Sequence, residues 1–344
     1  MSRIVWKKYL TREYSFLYIS YALECYSKSL KSYVLAHGQG RLVSLYGTDE
    51  DTKNCFSKIN KIIHDDPEKI FLIINNFDNL VQENYDLANE IREANDKNEI
   101  RDLLFKIDQK YIETLGYYLL FVYMGYAGDY PDVKIFLDQH QAEFEKVRNS
   151  PIDKYMDNGL PGLFAKYDPK LVSLSAYMTR YELLDYLNGN SVDFEKIKNR
   201  QKEYLIVTKD NARAEYALRD VANALKAELG ESIDYSTQKQ ITGKVACGGK
   251  ANGLARKIFT SSDYSKIVDG DIIITPMTKP EITPYLSKVK GIVTNDGGAL
   301  SHASIISREM NIPCIVGTIH ATDVFADGQT VSLDADNGIV RKIY

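Results

Sequence analysis

His302 stands among small residues in Gly297-Gly298-Ala299-Leu300-Ser301-His302-Ala303-Ser304, a setting that suits phosphoryl chemistry. An imidazole has a reference pKa of about 6.5, so near neutral pH it is largely unprotonated and can attack phosphorus. Ahead of it Gly291-Ile292-Val293-Thr294 reads as a buried strand, and Leu300 to Met310 reads as a helix. The two glycines between them, Gly297 and Gly298, permit backbone angles closed to other residues. The chain can therefore turn sharply and leave the first amides of the helix uncovered. Those N–H groups and the positive end of the helix dipole form an anion site beside the ring. Ser301 brings a hydroxyl that can bond phosphoryl oxygens or cap the helix. Arg308, six residues on and about 120° around the helix, can neutralise a phosphoryl group or make a structural ion pair. Thr278, in Met277-Thr278-Lys279-Pro280, falls in a loop after a strand end, where loops commonly meet substrate. A lone histidine at a helix start is more often a cap than a nucleophile, and only its surroundings decide otherwise.

Those surroundings follow a long ordered pattern: Gly297-Gly298-x-x-Ser301-His302-Ala303, then Arg308-Glu309, Ile312-Pro313 and Val316-Gly317. Upstream runs Gly270-Asp271-Ile272-Ile273-Ile274-Thr275-Pro276-Met277-Thr278-Lys279-Pro280, and downstream Asp327-Gly328-Gln329-Thr330-Val331-Ser332-Leu333-Asp334. The whole resembles the phosphohistidine signature of the phosphoenolpyruvate-utilising enzymes: phosphoenolpyruvate synthase, pyruvate phosphate dikinase, the sugar-transport enzyme I and the rifampicin phosphotransferases. The resemblance implies a swivelling β/β/α domain whose histidine, here His302, carries phosphoryl groups between distant sites. It implies a supporting role for Thr278, which is similar to the threonine of a Met-Thr-x-Pro element. Family members often have Pro-Gly where this chain has Gly248-Gly249. The resemblance reaches back, more weakly, to about residue 180, through Tyr181-Glu182-Leu183-Leu184 and Arg200.

The elements that must position this site come late in a chain of 344 residues, enough for two domains. Over residues 1–200 the apolar spacing is helical. Leu10, Tyr14, Leu17, Tyr18, Tyr21 and Cys25 form one stripe that His37-Gly38-Gln39-Gly40 breaks. A helix follows from Glu50 to Ile63; Asp66-Pro67 opens another, and Tyr111, Leu115, Tyr118, Leu119, Val122 and Tyr126 mark a third. Asp168-Pro169 opens a helix through Leu184 that stops at Asn188-Gly189-Asn190. Glu203 to Thr208 and Ala212 to Ala217 suggest a hairpin turning at Lys209-Asp210-Asn211, with a helix from Asp220 to Leu229. Glu231 to Gln240 is polar and aperiodic, which suits a hinge. From Ile241 short strands alternate with glycine turns at 241–246, 254–259, 271–275, 291–294, 314–316, 330–333 and 338–343, with helices at 282–289 and 300–310. The expected fold is thus multidomain α and α/β: an α-helical domain over 1–200, a hairpin, helix and hinge linker over 201–240, and the phosphohistidine domain over 241–344.

Composition narrows the function. A net charge of −4 gives no general pull toward nucleic acid or an anionic membrane, and the longest apolar run, Tyr117 to Tyr126, is too short to span a bilayer. The start of the chain lacks the features of a signal peptide, so a cytoplasmic protein is expected. Four cysteines, at 25, 55, 247 and 314, make no C-x-x-C pair, which argues for reduced thiols rather than a disulfide framework or zinc site. Gly243 to Gly253 fails the P-loop pattern, with Lys244 and Ala251 at positions that need glycine and a hydroxyl, and reads as a β turn. His37, His64, His140 and His320 have no spacing that suggests a metal, and none is expected. The 25 tyrosines, mostly early in the chain, suit a helical core better than a groove.

Neither an ATP-grasp domain nor a phosphoenolpyruvate-binding barrel is recognisable, so the resemblance implies a carrier charged in trans. The donor would be ATP with Mg2+, or phosphoenolpyruvate, on a partner protein, with no cofactor bound tightly by this chain. The acceptor would be a small molecule at the helical domain, hydrophobic if the region acts as its counterpart does in antibiotic phosphotransferases. The competing reading is a binding or regulatory module that keeps the fold without turnover.

Overall fold

Tyr204-Leu205-Ile206-Val207 is wholly apolar and wholly buried, which only a strand covered on both faces can satisfy. It lies in β4 (Glu203–Lys209), paired antiparallel with β2 (Val34–Gln39) on one side and β5 (Ala212–Ala217) on the other. The computed structural model describes residues 4–29, 33–126, 131–148, 150, 159–209, 212–230, 235–298 and 301–343. Its contacts divide the chain into two units. The first is Met1–Lys7, Tyr14–Arg41 and Tyr46–Glu228; the second is Lys8–Glu13, Leu42–Leu45 and Leu229–Tyr344.

The first unit is mainly helical. In chain order it holds α1 (Phe16–Ser29), α2 (Asp49–Asp65), α3 (Glu68–Glu93), α4 (Lys97–Tyr126), α5 (Pro131–Gln139), α6 (Gln141–Arg148) and α7 (Leu160–Tyr167). After these come α8 (Leu171–Leu174), α9 (Arg180–Leu187), α10 (Phe194–Lys202) and α11 (Val221–Leu229). Ile70, Ile74, Phe77, Leu80, Ala88 and Ile91 make a buried stripe on α3 at helical spacing. Tyr21 and Tyr111 are fully buried, with rings edge to face at 5.0 Å, so these tyrosines belong to the core. Buried charge is met by partners. Arg180 reaches Asp108 at 2.6 Å and Glu24 at 3.1 Å, and the fully buried Arg200 reaches Glu182 and Glu215, each at 2.6 Å.

Several expectations are corrected here. Leu10 belongs to a strand, β1 (Lys7–Glu13), and not to the helix that begins at Phe16. His37-Gly38-Gln39 is not a break but the end of β2, before β3 (Leu42–Gly47). Gly38 faces Tyr204, where a Cβ would come within 2.2 Å of the phenol ring. Pro67 caps α3 without a side-chain bond from Asp66. The helix expected from 168 to 184 is interrupted at Met178, because Thr179 and Glu182 form a capping box that starts α9 afresh. The hairpin and α11, assigned to a linker over 201–240, group instead with the first unit, while 8–13 and 42–45 group with the second. The hairpin turn at Asp210-Asn211 and residues 231–234 of the hinge expected over 231–240 lie outside the described residues; within its remainder Tyr235–Thr237 is a short 3-10 turn and β6 begins at Gln240.

In the second unit eight strands form one sheet in the order β6-β13-β12-β8-β9-β10-β11-β7. They are β6 (Gln240–Thr242), β7 (Lys244–Cys247), β8 (Lys250–Lys257), β9 (Asp271–Thr275), β10 (Val289–Thr294), β11 (Cys314–Val316), β12 (Thr330–Asp334) and β13 (Ile339–Lys342). The run expected at 241–246 is split at Gly243, the one residue between the two edge strands, so the sheet curls until its edges meet. The centre, β8 through β11, is parallel. Its side chains alternate between two cores. Ile272, Ile274 and Val293 enter one cluster, while Ile273 and Ile292 enter the other. Each such side chain stabilises the fold by about 1.5–3 kcal/mol relative to exposure. Two helices follow β10 and β11: α12 (His302–Met310) and α13 (Ala321–Val324). The helix expected at 282–289 is a 3-10 segment, Pro280–Lys288, with Pro284 inside it.

Candidate functional site

The parallel strands end together, and their exits are bonded to one another. Past β10, the Asn295 N–H donates to Thr275 O at 3.0 Å and the Asp296 N–H to Pro276 O at 2.9 Å, which holds the β9 and β10 exits side by side. The Thr318 N–H donates to Thr294 O at 3.1 Å and the Ile319 N–H to Asn295 O at 2.9 Å, which adds the β11 exit. Buried Asn295 locks the group: its Nδ2 donates to Thr322 Oγ1 at 2.6 Å and its Oδ1 accepts the Thr322 N–H at 3.0 Å. This is the carboxyl edge of a parallel sheet, where open α/β folds place their ligands.

His302 opens α12 at this edge, with Ser301 as its N-cap. Ser301 Oγ accepts the Ser304 N–H at 3.4 Å, while Gly298 O receives the Ser301 N–H at 3.0 Å and Ser304 Oγ at 2.7 Å. Gly297 has φ +119°, and a Cβ there would lie 3.0 Å from Ser301 Oγ. The expected two-glycine requirement is therefore half right. Gly298 has no positive φ and open space around its Cα. Ala299 and Leu300, also in the signature, lie outside the described residues.

Thr278 is buried to 3% exposure, and its Oγ1 stands 2.8 Å from His302 Nδ1. The imidazole is half buried, and its burial lowers the pKa from the usual value against smaller upward pulls from Glu281 and Glu309. Burial thus favours the uncharged form of the ring. Arg308 lies exposed on the last turn of α12, six residues beyond the histidine.

Sequence reasoning missed Glu281 and Glu309 as parts of this environment, and it missed the burial of Asp296. Asp296 sits in the turn before His302, where burial pushes its carboxyl up to about 6 against the pull of Arg12, Lys8 and the Thr11 N–H. No local signal could have shown this, because residues 8–12 lie far away in the chain. The other histidines have different local settings. His37 Nε2 pairs with Glu203 at 2.9 Å, His140 packs on Phe71 and Phe136, and His320 stacks on Tyr235 at 4.4 Å. The Gly248-Gly249 turn is tied by the Gly249 N–H to Asp336 at 2.7 Å. Among the described residues no group of three or more metal-ligating side chains gathers, and no helix is long and apolar enough to cross a membrane.

Residues 267–338 match the family model described as "PEP-utilising enzyme, mobile domain". A probable phosphoenolpyruvate synthase of Archaeoglobus fulgidus is 39% identical over 117 residues, covering 33% of this chain and 16% of that protein. One from Methanothermobacter thermautotrophicus is 40% identical over 116 residues, covering 33% and 17%. The phosphoenolpyruvate synthase of Pyrococcus furiosus is 38% identical over 125 residues, covering 36% and 15%. The chain thus matches less than a fifth of the length of these relatives.

Proposed function

With residues 267–338 as a mobile domain of the phosphoenolpyruvate-utilising enzymes, we propose that His302 is transiently phosphorylated on Nε2 and carries the phosphoryl group from a donor to an acceptor. The observation that carries this reading is the 2.8 Å contact between Thr278 Oγ1 and Nδ1. With the Nδ1–H donating to that hydroxyl oxygen, the proton stays on Nδ1 and Nε2 keeps its lone pair. Nε2 attacks phosphorus, the bond from phosphorus to the leaving oxygen breaks, and that oxygen departs with the electron pair. The helix start and its amides stabilise the transferred oxygens, with Ser301 and Gly297 setting the turn. Arg308 serves charge neutralisation in the docked state. In the second transfer the acceptor oxygen attacks phosphorus and Nε2 leaves, so the ring returns unchanged. Such transfer needs positioning and charge neutralisation above all.

The donor is ATP with Mg2+, or phosphoenolpyruvate, on an ATP-grasp or phosphoenolpyruvate-binding partner; the acceptor is a small molecule, for which the helical unit is the candidate site. The relatives named as phosphoenolpyruvate synthases support that donor class.

The test incubates the full chain with phosphate-labelled ATP and a candidate ATP-grasp protein, or with labelled phosphoenolpyruvate and its binding protein. Wild type should acquire an acid-labile, alkali-stable label and His302→Ala none. Thr278→Val, losing a bond worth about 0.5–1.5 kcal/mol, should label roughly twofold to tenfold more slowly. Equal label on wild type and His302→Ala rejects the proposal. Protein isolated from its native cell without phosphohistidine, under alkaline conditions, favours the non-catalytic module instead.

A further inference from the structure

Two cysteines that the sequence keeps 67 positions apart (314 − 247) stand directly opposite each other in the fold. β7 and β11 pair antiparallel with Cys247 facing Cys314, and a bulge at Ala246 separates this pair from Val245 facing Ile315. Facing residues of such a pair have Cα atoms about 4.5–5.5 Å apart and side chains on the same side of the sheet. That separation lies inside the range of about 4.4–6.8 Å that a disulfide spans. Both side chains do turn to one side. Cys314 belongs to the cluster of Ala303, Ile312 and Val316, and Cys247 packs against that cluster from its edge. Both are free thiols; Cys314 is fully buried, and Cys247 is partly open to solvent.

From this register we propose that Cys247 and Cys314 form a reversible oxidisable dithiol, which hydrogen peroxide closes to a cross-strand disulfide beneath α12. The accessible Cys247 reacts first, as a thiolate. Its sulfur attacks one peroxide oxygen, the O–O bond breaks, and the departing hydroxide takes up a proton to become water. Cys247 is left as a sulfenic acid. Cys314 sulfur then attacks Cys247 sulfur; the S–O bond breaks, and water leaves with the Cys314 proton. Two thiols are oxidised and one peroxide is reduced to two waters. Burial pushes the Cys314 thiol up to about 12, which protects it from direct attack by peroxide; in the second step the facing register, which puts the Cys247 sulfur beside it, offsets its small thiolate fraction.

The bridge also bears on the site. Cys314 Sγ donates to the carbonyl oxygen of Ala303 at 3.9 Å, one residue after His302, and a disulfide has no proton for that contact. The proposal stands independently of the phosphoryl reading, since its first readout is a thiol count.

The experiment uses the full chain as Cys25→Ser/Cys55→Ser, treated with dilute peroxide, unfolded with a thiol-blocking reagent and weighed intact. The expected result is loss of two hydrogen masses and of both remaining blockable thiols, reversed by dithiothreitol, with a peptide linking residues 247 and 314. With Cys314→Ser the oxidation should stop at the sulfenic or sulfinic acid of Cys247; with Cys247→Ser the Cys314 thiol should persist. A peroxide-treated chain whose Cys314 thiol stays blockable while Cys247 gains oxygen overturns the proposal, as does a chain that keeps both thiols. Circular dichroism of each variant confirms that the tested chain is folded. The oxidised form should also label more slowly in the phosphoryl assay.

Discussion

Asp296 places a carboxyl in the turn between β10 and α12, in surroundings that resist its charge. Its Oδ2 is buried without a hydrogen-bond partner among the described residues, and burial outweighs the attraction of Arg12 and Lys8, which pushes the group up to about 6. The folded pKa lies above the unfolded value of about 3.9, so the folded state holds an extra proton between the two. The stabilisation is therefore fully present below pH about 4 and lost as pH rises through about 6. At about 1.4 kcal/mol per unit, roughly 1–3 kcal/mol is at stake. Asp296→Asn should flatten this loss. In urea unfolding followed from pH 4 to pH 8, wild type should fall relative to the variant as pH rises. Parallel curves would refute the assignment. Of these residues His302 was singled out by its flanking pattern and the resemblance, and Thr278 by its loop position and the resemblance; the 2.8 Å contact between them was not legible in either. The Asp296 environment was not legible, because its counter-charges come from residues 8–12.

Gly297 shows what one element, the turn from β10 into α12, requires. Its φ of +119° strains alanine there and a Cβ position 3.0 Å from Ser301 Oγ crowds it, whereas Gly298 has neither constraint. Gly297→Ala should cost roughly 1–3 kcal/mol and reduce labelling of His302, and Gly298→Ala should stay within about 0.5 kcal/mol. Chemical denaturation with the labelling assay checks both, and equal effects would show that the turn does not position the ring. Neighbouring identical residues gave the sequence no means of separating these roles. Strands β9 and β11 were legible because each is a short apolar run between a glycine and a proline, and β12 because buried Val331 and Leu333 alternate with polar residues. β1 and β2 were not. The spacing of Leu10, Tyr14 and Leu17 crosses a strand-to-helix junction, and Gly38 looks like a break until Tyr204 is seen packed across it.

At the scale of the molecule, two core clusters of the second unit come, among the described residues, from 241–340, and neither includes a side chain from 8–13 or 42–45, although Val43 and Leu45 are themselves buried. Within that unit, residues 8–13 add the ion pairs Lys8–Asp323 at 3.4 Å and Glu13–Lys279 at 3.5 Å, together with the Thr11 N–H and the Arg12 charge on Asp296. Partly exposed pairs of this kind are worth about 0–1 kcal/mol each, less than one buried isoleucine. Residues 235–344 expressed alone should therefore unfold in one cooperative transition, with a heat-capacity change of about 1.2–1.5 kcal/mol/K per 100 residues. The same fragment keeps Thr278 against His302 and should take up label from the donor system that charges the full chain. Calorimetry decides the first point. A broad transition with little heat would mean that the ion pairs and strand contacts of 8–13 and 42–45 outweigh two complete cores. A cooperative fragment that refuses the label, beside a full chain that accepts it, would place an essential part of donor recognition outside residues 235–344.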